Sequence, residues 1–313
     1  MITFLFRRLG AGLILVFAVS TLTFFLTALA GSDPARRILG NNATAAQVTA
    51  KNAELGLDQP VLARYFDWLG SAITGDLGKS WGSNQPVIKL IGQALPVSLS
   101  VVIAAVVLTA VVSVALGVVA AVRGGWLDKV LQTISIVAFA VPNFLVGIIL
   151  ALVFAVQLKI FPALGYVSPT DDPGQWLASI TLPAFALAIG AIGTVATQTR
   201  GSMIDVLQKD YIRTLRSRGL PSRSILIKHA LRNAAPASLT VLSLQFIALL
   251  GGAVIIEKVF ALTGIGNRAA SAAGQGDVPV VLGVVVVMVI LVVIVNLLVD
   301  ILLGFLNPKV RTS

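Results

Sequence analysis

Six stretches of this chain contain no Asp, Glu, Lys or Arg over 22 to 33 residues: 9–32, 90–122, 130–158, 173–199, 233–256 and 278–299. A helix needs roughly 20 apolar residues, at about 1.5 Å each, to cross some 30 Å of hydrocarbon. All six runs are long enough, and no other run reaches 18 residues. With 57% hydrophobic residues, 12% charged residues and a mean hydropathy of +0.95, 313 residues cannot hide this surface in one soluble core. Lipid must be part of the solvent. Runs such as 280–299 are unbroken, whereas barrel strands alternate apolar and polar positions over about ten residues. The expected fold is an all-α polytopic membrane protein with six transmembrane helices.

Orientation follows from the basic residues flanking the spans, which stay on the cytoplasmic side. With the N-terminus inside, 14 of the 23 Lys and Arg lie on the inner side: Arg7, Arg8, Arg123, Lys129, eight between Arg200 and Arg232, Lys309 and Arg311. Nine lie outside, beside nine acids, while four acids lie inside, so the whole formal charge of +10 belongs to the inner face. Both termini are expected in the cytoplasm. A pI near 10.4 is thereby explained without nucleic acid. Trp68, Trp81, Trp126 and Trp176 fall at span ends or outside the spans, as an interfacial belt requires. The chain has no cysteine, which excludes disulfides and thiol chemistry.

Along the chain, 1–32 reads as the N-terminus and first span, 33–89 as an extracytoplasmic segment, and 90–313 as the remaining core with an inner loop at 200–232. Arg7 and Arg8 ahead of Ala28-Leu29-Ala30 also fit a cleaved signal. The apolar run, however, exceeds the 7 to 15 residues usual for one, which favours a retained span. The outer segment carries an amphipathic helix around Leu57 to Leu69, and the outer loop at 258–278 reads as turns with one short helix. Gly78-Lys79-Ser80 ends like a phosphate-binding loop, but Ile73 stands where its first glycine belongs. Gly264-Ile265-Gly266-Asn267-Arg268-Ala269 follows a span and not a strand, so tight turning explains it better than a dinucleotide. Asn42-Ala43-Thr44 matters as a glycosylation site only in a secretory pathway that nothing here suggests. His229 stands beside Lys228 and Arg232, with no placed partner for catalysis. No catalytic residue, cofactor site or metal-ligand cluster is expected on this chain.

Within the inner loop, Met203 to Leu215 fits one amphipathic helix at about 100° per residue. Ile204, Leu207, Tyr211 and Leu215 share one arc, and Asp205, Lys209, Arg213 and Arg216 point away from it. Gly219-Leu220-Pro221 then supplies a stop. Within the spans, Pro142-Asn143 is placed to kink the third helix. Gln245 and Asn296 are amides that should face protein or water and not lipid; with Pro142 and Asn143 they are candidate pathway residues. Glu257 and Asp300 sit at span ends, where helix termini and water are expected to solvate them.

Tyr211-Ile212-Arg213-Thr214-Leu215-Arg216-Ser217-Arg218-Gly219, followed by His229-Ala230-Leu231-Arg232-Asn233-Ala234, resembles the cytoplasmic EAA loop of binding-protein-dependent ABC importer permeases of the dipeptide, oligopeptide and nickel group. The resemblance extends over essentially the whole chain. Gly56-Leu57-Asp58-Gln59-Pro60, Gly75-Asp76-Leu77-Gly78-Lys79-Ser80, the segment Gly251 to Phe260, and Gly264-Ile265-Gly266 occur in that family's order. Leu215 stands where the family usually has Ala, and Ala235-Pro236 replaces a bulkier pair. The resemblance implies half of a translocation path in a bacterial cytoplasmic membrane, with a second homologous permease forming the other half. It also implies an extracytoplasmic solute-binding protein and a separate ABC ATPase that holds ATP and Mg. By the same resemblance, Arg213, Thr214, Leu215, Arg216, Arg218 and Gly219 dock on the ATPase, joined by the apolar residues Ile204, Leu207 and Tyr211. Dipeptides, oligopeptides, nickel, glutathione and haem are the family's range of substrates.

Two other classes stay open on the residues alone. An ion-coupled secondary carrier would usually place an ionisable residue within a span, and the six runs have none in their middles. A membrane scaffold or sensor would use the same loop without moving a solute.

Overall fold

The computed structural model describes residues 2–29, 33–40 and 42–306, with 2–5 and 306 as backbone only. Lys309, Arg311 and Ala30, invoked above for topology and cleavage, lie outside the described residues. In chain order the helices are α1 Ile2–Leu29, α2 Pro34–Leu39, α3 Ala45–Glu54, α4 Val61–Ile73, α5 Val87–Arg123, α6 Gly125–Ala140, α7 Asn143–Gln157, α8 Pro173–Leu207, α9 Asp210–Ser217, α10 Ser222–Val259, α11 Ile265–Gln275 and α12 Val278–Leu306. Among the described residues there is no strand, only an isolated antiparallel bridge between Lys79 and Pro86.

Among the described residues five helices, α1, α5, α8, α10 and α12, are long and apolar enough to cross a membrane, and the bent pair α6–α7 would make a sixth span if counted as one. The third apolar run is not a straight rod. It is divided between α6 and α7, which bend by 96° at Val141-Pro142. Val141 is extended, at φ −82° and ψ 124°, because a following proline ring crowds the helical conformation of the residue before it. Pro142, which lacks an N–H, then starts the next helix at no cost in hydrogen bonds. The span helices also overrun the uncharged runs: α5 includes Lys89, and α8 continues through Arg200 and Asp205 to Leu207.

The chain divides into two compact units, Met1–Val97 with Thr263–Ile294, and Ser98–Leu262 with Val295–Ser313. In the first, Val87, Leu90, Ile91, Ile265, Val280 and Val284 are buried together. Gly283 permits this approach, since a Cβ there would lie 2.4 Å from the Val87 side chain. Asp277 is buried and fastens the 80–82 turn, accepting from Ser80 Oγ at 2.5 Å and from the Trp81 and Gly82 N–H groups at 3.1 and 3.4 Å. Three donors make a buried carboxylate tolerable.

The hub of the second unit is α8, which packs against α6, α7 and α10. Glycines set these contacts: a Cβ on Gly193 would meet the Ser135 carbonyl at 2.9 Å, and one on Gly117 would lie 2.6 Å from Thr199. Thr199 in turn donates to Ser238 of α10 at 2.9 Å, both side chains being buried. Glu257 departs from the expectation of a solvated span end. Although it stands in the last turn of α10, it is fully buried and accepts from Ser98 Oγ at 2.5 Å.

Candidate functional site

The 200–232 loop begins while α8 is still helical and ends inside α10. A single helix from Met203 to Leu215 is not what forms. α8 stops at Leu207, Lys209 is extended at φ −70° and ψ 145°, and a separate eight-residue helix, α9, starts at Asp210. A hydrophobic period marks which residues share a side but is blind to one extended residue between two helices. The apolar arc is therefore divided: Ile204 and Leu207 lie on the last turns of α8, while Tyr211 and Leu215 belong to α9.

The seat of α9 is Ile212, fully buried with Met203, Val206, Ile225, Ala230 and Ala234. Leu207, Leu215 and Leu220 pack around the same cluster. These leucines thus face the chain's own core and do not point outward. The exposed side of α9 consists of Asp210, Tyr211, Arg213, Thr214, Arg216 and Ser217, continued by Arg218. Arg213 approaches Asp210 at 3.5 Å, but with 76% and 95% of the two side chains exposed the pair contributes little. The Tyr211 phenol is pushed above its ordinary value by burial, partly offset by a hydrogen bond with Asn233, so it is uncharged at neutral pH. The charge offered by this face is that of Arg213, Arg216 and Arg218, offset in part by Asp210 at its start.

Gly219 ends α9 as its position suggested. It has φ +75°, and its N–H donates to the Arg216 carbonyl at 2.9 Å while the Leu220 N–H reaches the Leu215 carbonyl at 3.3 Å. Those two bonds satisfy carbonyls that a helix end otherwise leaves open, and the left-handed residue between them is best supplied by glycine. After Pro221, α10 opens with a π-helical segment, Ile225–Leu231. Ile204, Leu207 and Arg216 line one groove of about 360 Å³ with Ala121, Ser222 and Ile225.

Just before the loop, α8 is held on two sides. Arg200 makes a bidentate ion pair with Asp128 near the start of α6, with 25% and 12% of the side chains exposed, and Gln132 also bonds the carboxylate. One residue earlier, Thr199 ties α8 to α10. None of Asp128, Arg200, Thr199, Ser238 or Ile212 was singled out from sequence. Two faint signals existed: Asp128 is the one acid between Arg123 and Lys129, and Ile212, eight residues after Ile204, falls on its side of the arc.

The candidate pathway residues are dispersed. Pro142 and Asn143 form the α6–α7 break, and the Asn143 amide lies against Gly190 of α8 and Gly252 of α10. Gln245 and Asn296 are half-buried on α10 and α12, and neither makes a side-chain hydrogen bond among the described residues.

Residues 113–312 match the family described as binding-protein-dependent transport system inner membrane component, and residues 1–102 match the N-terminal region of such membrane components. A Brucella abortus protein named as a peptide transport system permease is 39% identical over 312 residues, 99% of each chain. The glutathione transport system permease protein GsiC of Escherichia coli is 34% identical over 312 residues, again 99% of each. The dipeptide transport system permease protein DppB of Bacillus subtilis is 34% identical over 315 residues, 99% of this chain and 98% of that one.

Proposed function

Because the chain belongs to the binding-protein-dependent transport system inner membrane component family, we propose that it is the permease subunit of an ATP-driven importer of short peptides. ATP hydrolysis resides on a separate subunit, and this chain supplies membrane helices and a docking loop. In this proposal the chain crosses the membrane six times with both termini inside, and pairs with a second permease to enclose the path. An extracytoplasmic binding protein delivers substrate to the outer side, where segment 33–89 helps to receive it. Peptide is the substrate class named for relatives that align end to end with this chain.

The observation that carries the coupling role is the construction of α9. A short capped helix, seated by one buried isoleucine, lies between two helices long enough to span the membrane, and it exposes a basic face. Movement imposed on such a rod passes directly into α8 and α10, because α8 is clamped by Asp128–Arg200 and Thr199–Ser238. Docking is assigned to Tyr211, Arg213, Thr214, Arg216 and Arg218, with Gly219 shaping the stop; Leu207 and Leu215 support the rod from behind, and Ile204 lines the groove beside Arg216.

The test is uptake of a radiolabelled dipeptide by proteoliposomes holding the complete complex, with and without ATP. ATP-dependent accumulation is expected, abolished by Gly219→Pro with ATP hydrolysis retained. Accumulation driven by an ion gradient without ATP would overturn the proposal.

A further inference from the structure

The lower half of α8 has two chemically different sides. Val195, Ala196, Thr199, Met203 and Val206 are at most 7% exposed and pack into the unit. The accessible side holds Thr194, Thr197, Gln198, Ser202 and Asp205, with Gly201 between them. At about 100° per residue these positions share an arc of roughly 140°. They open onto a groove of about 570 Å³ whose other wall is Ser135, Ile136 and Phe139 of α6.

The hydrogen bonding of that stripe separates it from structural polarity. Thr194 and Thr197 donate to the Gly190 and Gly193 carbonyls of their own helix at 3.2 and 2.9 Å, and Gln198 donates to Ser202 at 3.2 Å. Each bond stays within α8. The neighbouring Thr199 also bonds its own helix, at the Val195 carbonyl at 2.8 Å, but unlike them it reaches Ser238 of α10 as well, at 2.9 Å. Polar side chains that fasten no other helix add no hydrogen bond between helices, and facing hydrocarbon they would cost free energy. Such residues within a membrane face protein or a water-filled cavity.

We propose that the α8 face carrying Thr194, Thr197, Gln198 and Ser202 is a hydrated wall of the translocation path, on which the backbone amides of a passing peptide exchange hydrogen bonds. The identification of a peptide rests on the function proposed above. Hydroxyl and amide groups both donate and accept, so they satisfy a peptide backbone whatever its side chains. They are uncharged, which keeps binding weak enough for release. Asn143, against Gly190 one turn before Thr194, extends the stripe toward the α6–α7 break.

The chain contains no cysteine, so single cysteines can be read without background from this subunit. Thr197→Cys, Gln198→Cys and Ser202→Cys in the assembled complex, in inside-out vesicles, are treated with a charged, membrane-impermeant maleimide. Two controls are Val195→Cys on the buried side and Val137→Cys, exposed on α6 but outside the groove. The stripe cysteines are expected to react at least about tenfold faster than both controls, and their labelling to block ATP-driven dipeptide uptake. Reaction only with a lipid-soluble maleimide would show that the face meets lipid and overturn the proposal. Reaction in the isolated subunit but with neither reagent in the complex would make the stripe a subunit interface, which also overturns it. Labelling is read without transport: a wild-type complex that takes up no peptide sinks the functional reading, while hydration of the groove is decided by the same cysteines.

Discussion

The helices α4 and α9 are both short, amphipathic and outside the spans, yet they are seated in opposite ways. α4 is fastened by rings. Tyr65 is buried, with ring centroids 5.3 Å from both Phe24 and Phe25 of α1 and 6.4 Å from Trp68, and its hydroxyl lies 2.8 Å from Thr21 Oγ1. α9 is held by one buried side chain, Ile212, and by its glycine stop. Several aromatic contacts over two helices make a fixture. A single anchor under a polar, basic surface makes a part that another protein can grip, and it concentrates the vulnerability of the loop in two residues.

The largest effect that would break this contrast is therefore expected in α9. Ile212→Asp places a carboxylate in an apolar cluster and loses the packing of a buried isoleucine, a local penalty of about 3–5 kcal/mol. Gly219→Pro demands a negative φ where the chain has +75° and deletes the N–H that caps Arg216. Either variant should insert normally and lose ATP-driven uptake by about a hundredfold or more, as a helix that no longer holds its shape transmits no displacement. Uptake in proteoliposomes beside ATPase activity measures it, and retained uptake with Ile212→Asp would refute single-point anchoring. Leu215→Asp acts in the same direction through the rear of the helix, since Leu215 faces the cluster.

In α4 the corresponding change is Tyr65→Ala. Removing a buried aromatic costs about 3 kcal/mol, so the outer unit should lose thermal stability while each surviving complex transports at its normal rate per ATP hydrolysed. Thermal unfolding monitored in detergent, set against uptake per assembled complex, distinguishes the two outcomes. A drop in coupling instead of stability would mean that α4 is more than a fixture.

The sequence revealed the parts of this architecture that depend on local chemistry. Charge-free runs located the apolar helices, Pro142 announced the break between α6 and α7, and Gly219 announced the end of α9, because each is fixed by one residue's own backbone preferences or by composition. α4 was legible too, except that Pro60 as its cap moves the start to Val61. What escaped depends on partners remote in sequence. Asp128 and Arg200 are 72 residues apart, Thr199 and Ser238 39 apart, and nothing local tells a hydroxyl that bridges helices from one facing a groove. The split at Lys209 escaped because apolar periodicity continues across it, and it divides the arc, with Leu207 and Leu215 against the buried cluster and Tyr211 exposed.

A smaller effect sharpens the contrast at the surface of α9. Arg213→Glu with Arg216→Glu reverses two exposed charges without touching Ile212, so the loop should keep its shape and lose electrostatic complementarity. Association with the ATPase subunit is expected to weaken about tenfold, with a slower on-rate and less dependence on salt than wild type. Surface-bound permease titrated with purified ATPase at two ionic strengths measures it. Unchanged affinity would remove the basic face from the docking surface.

The smallest effects come from one atom in each helix. Tyr65→Phe deletes the hydroxyl that meets Thr21 in a part-buried setting and should cost about 1 kcal/mol of stability. Tyr211→Phe should cost less, since Tyr211 is 38% exposed and water replaces its bond with Asn233. Their pH behaviour supplies a further check on α9. Burial raises the Tyr211 pKa above its unfolded value near 10, so whatever the neutral phenol contributes is fully present below about pH 10 and is lost only as pH rises through the folded value. Between pH 7 and 9 the wild type and Tyr211→Phe should therefore show parallel uptake profiles. Divergence within that window would mean that the phenol ionises on docking, and that α9 is gripped through an aromatic oxygen as well as through its arginines.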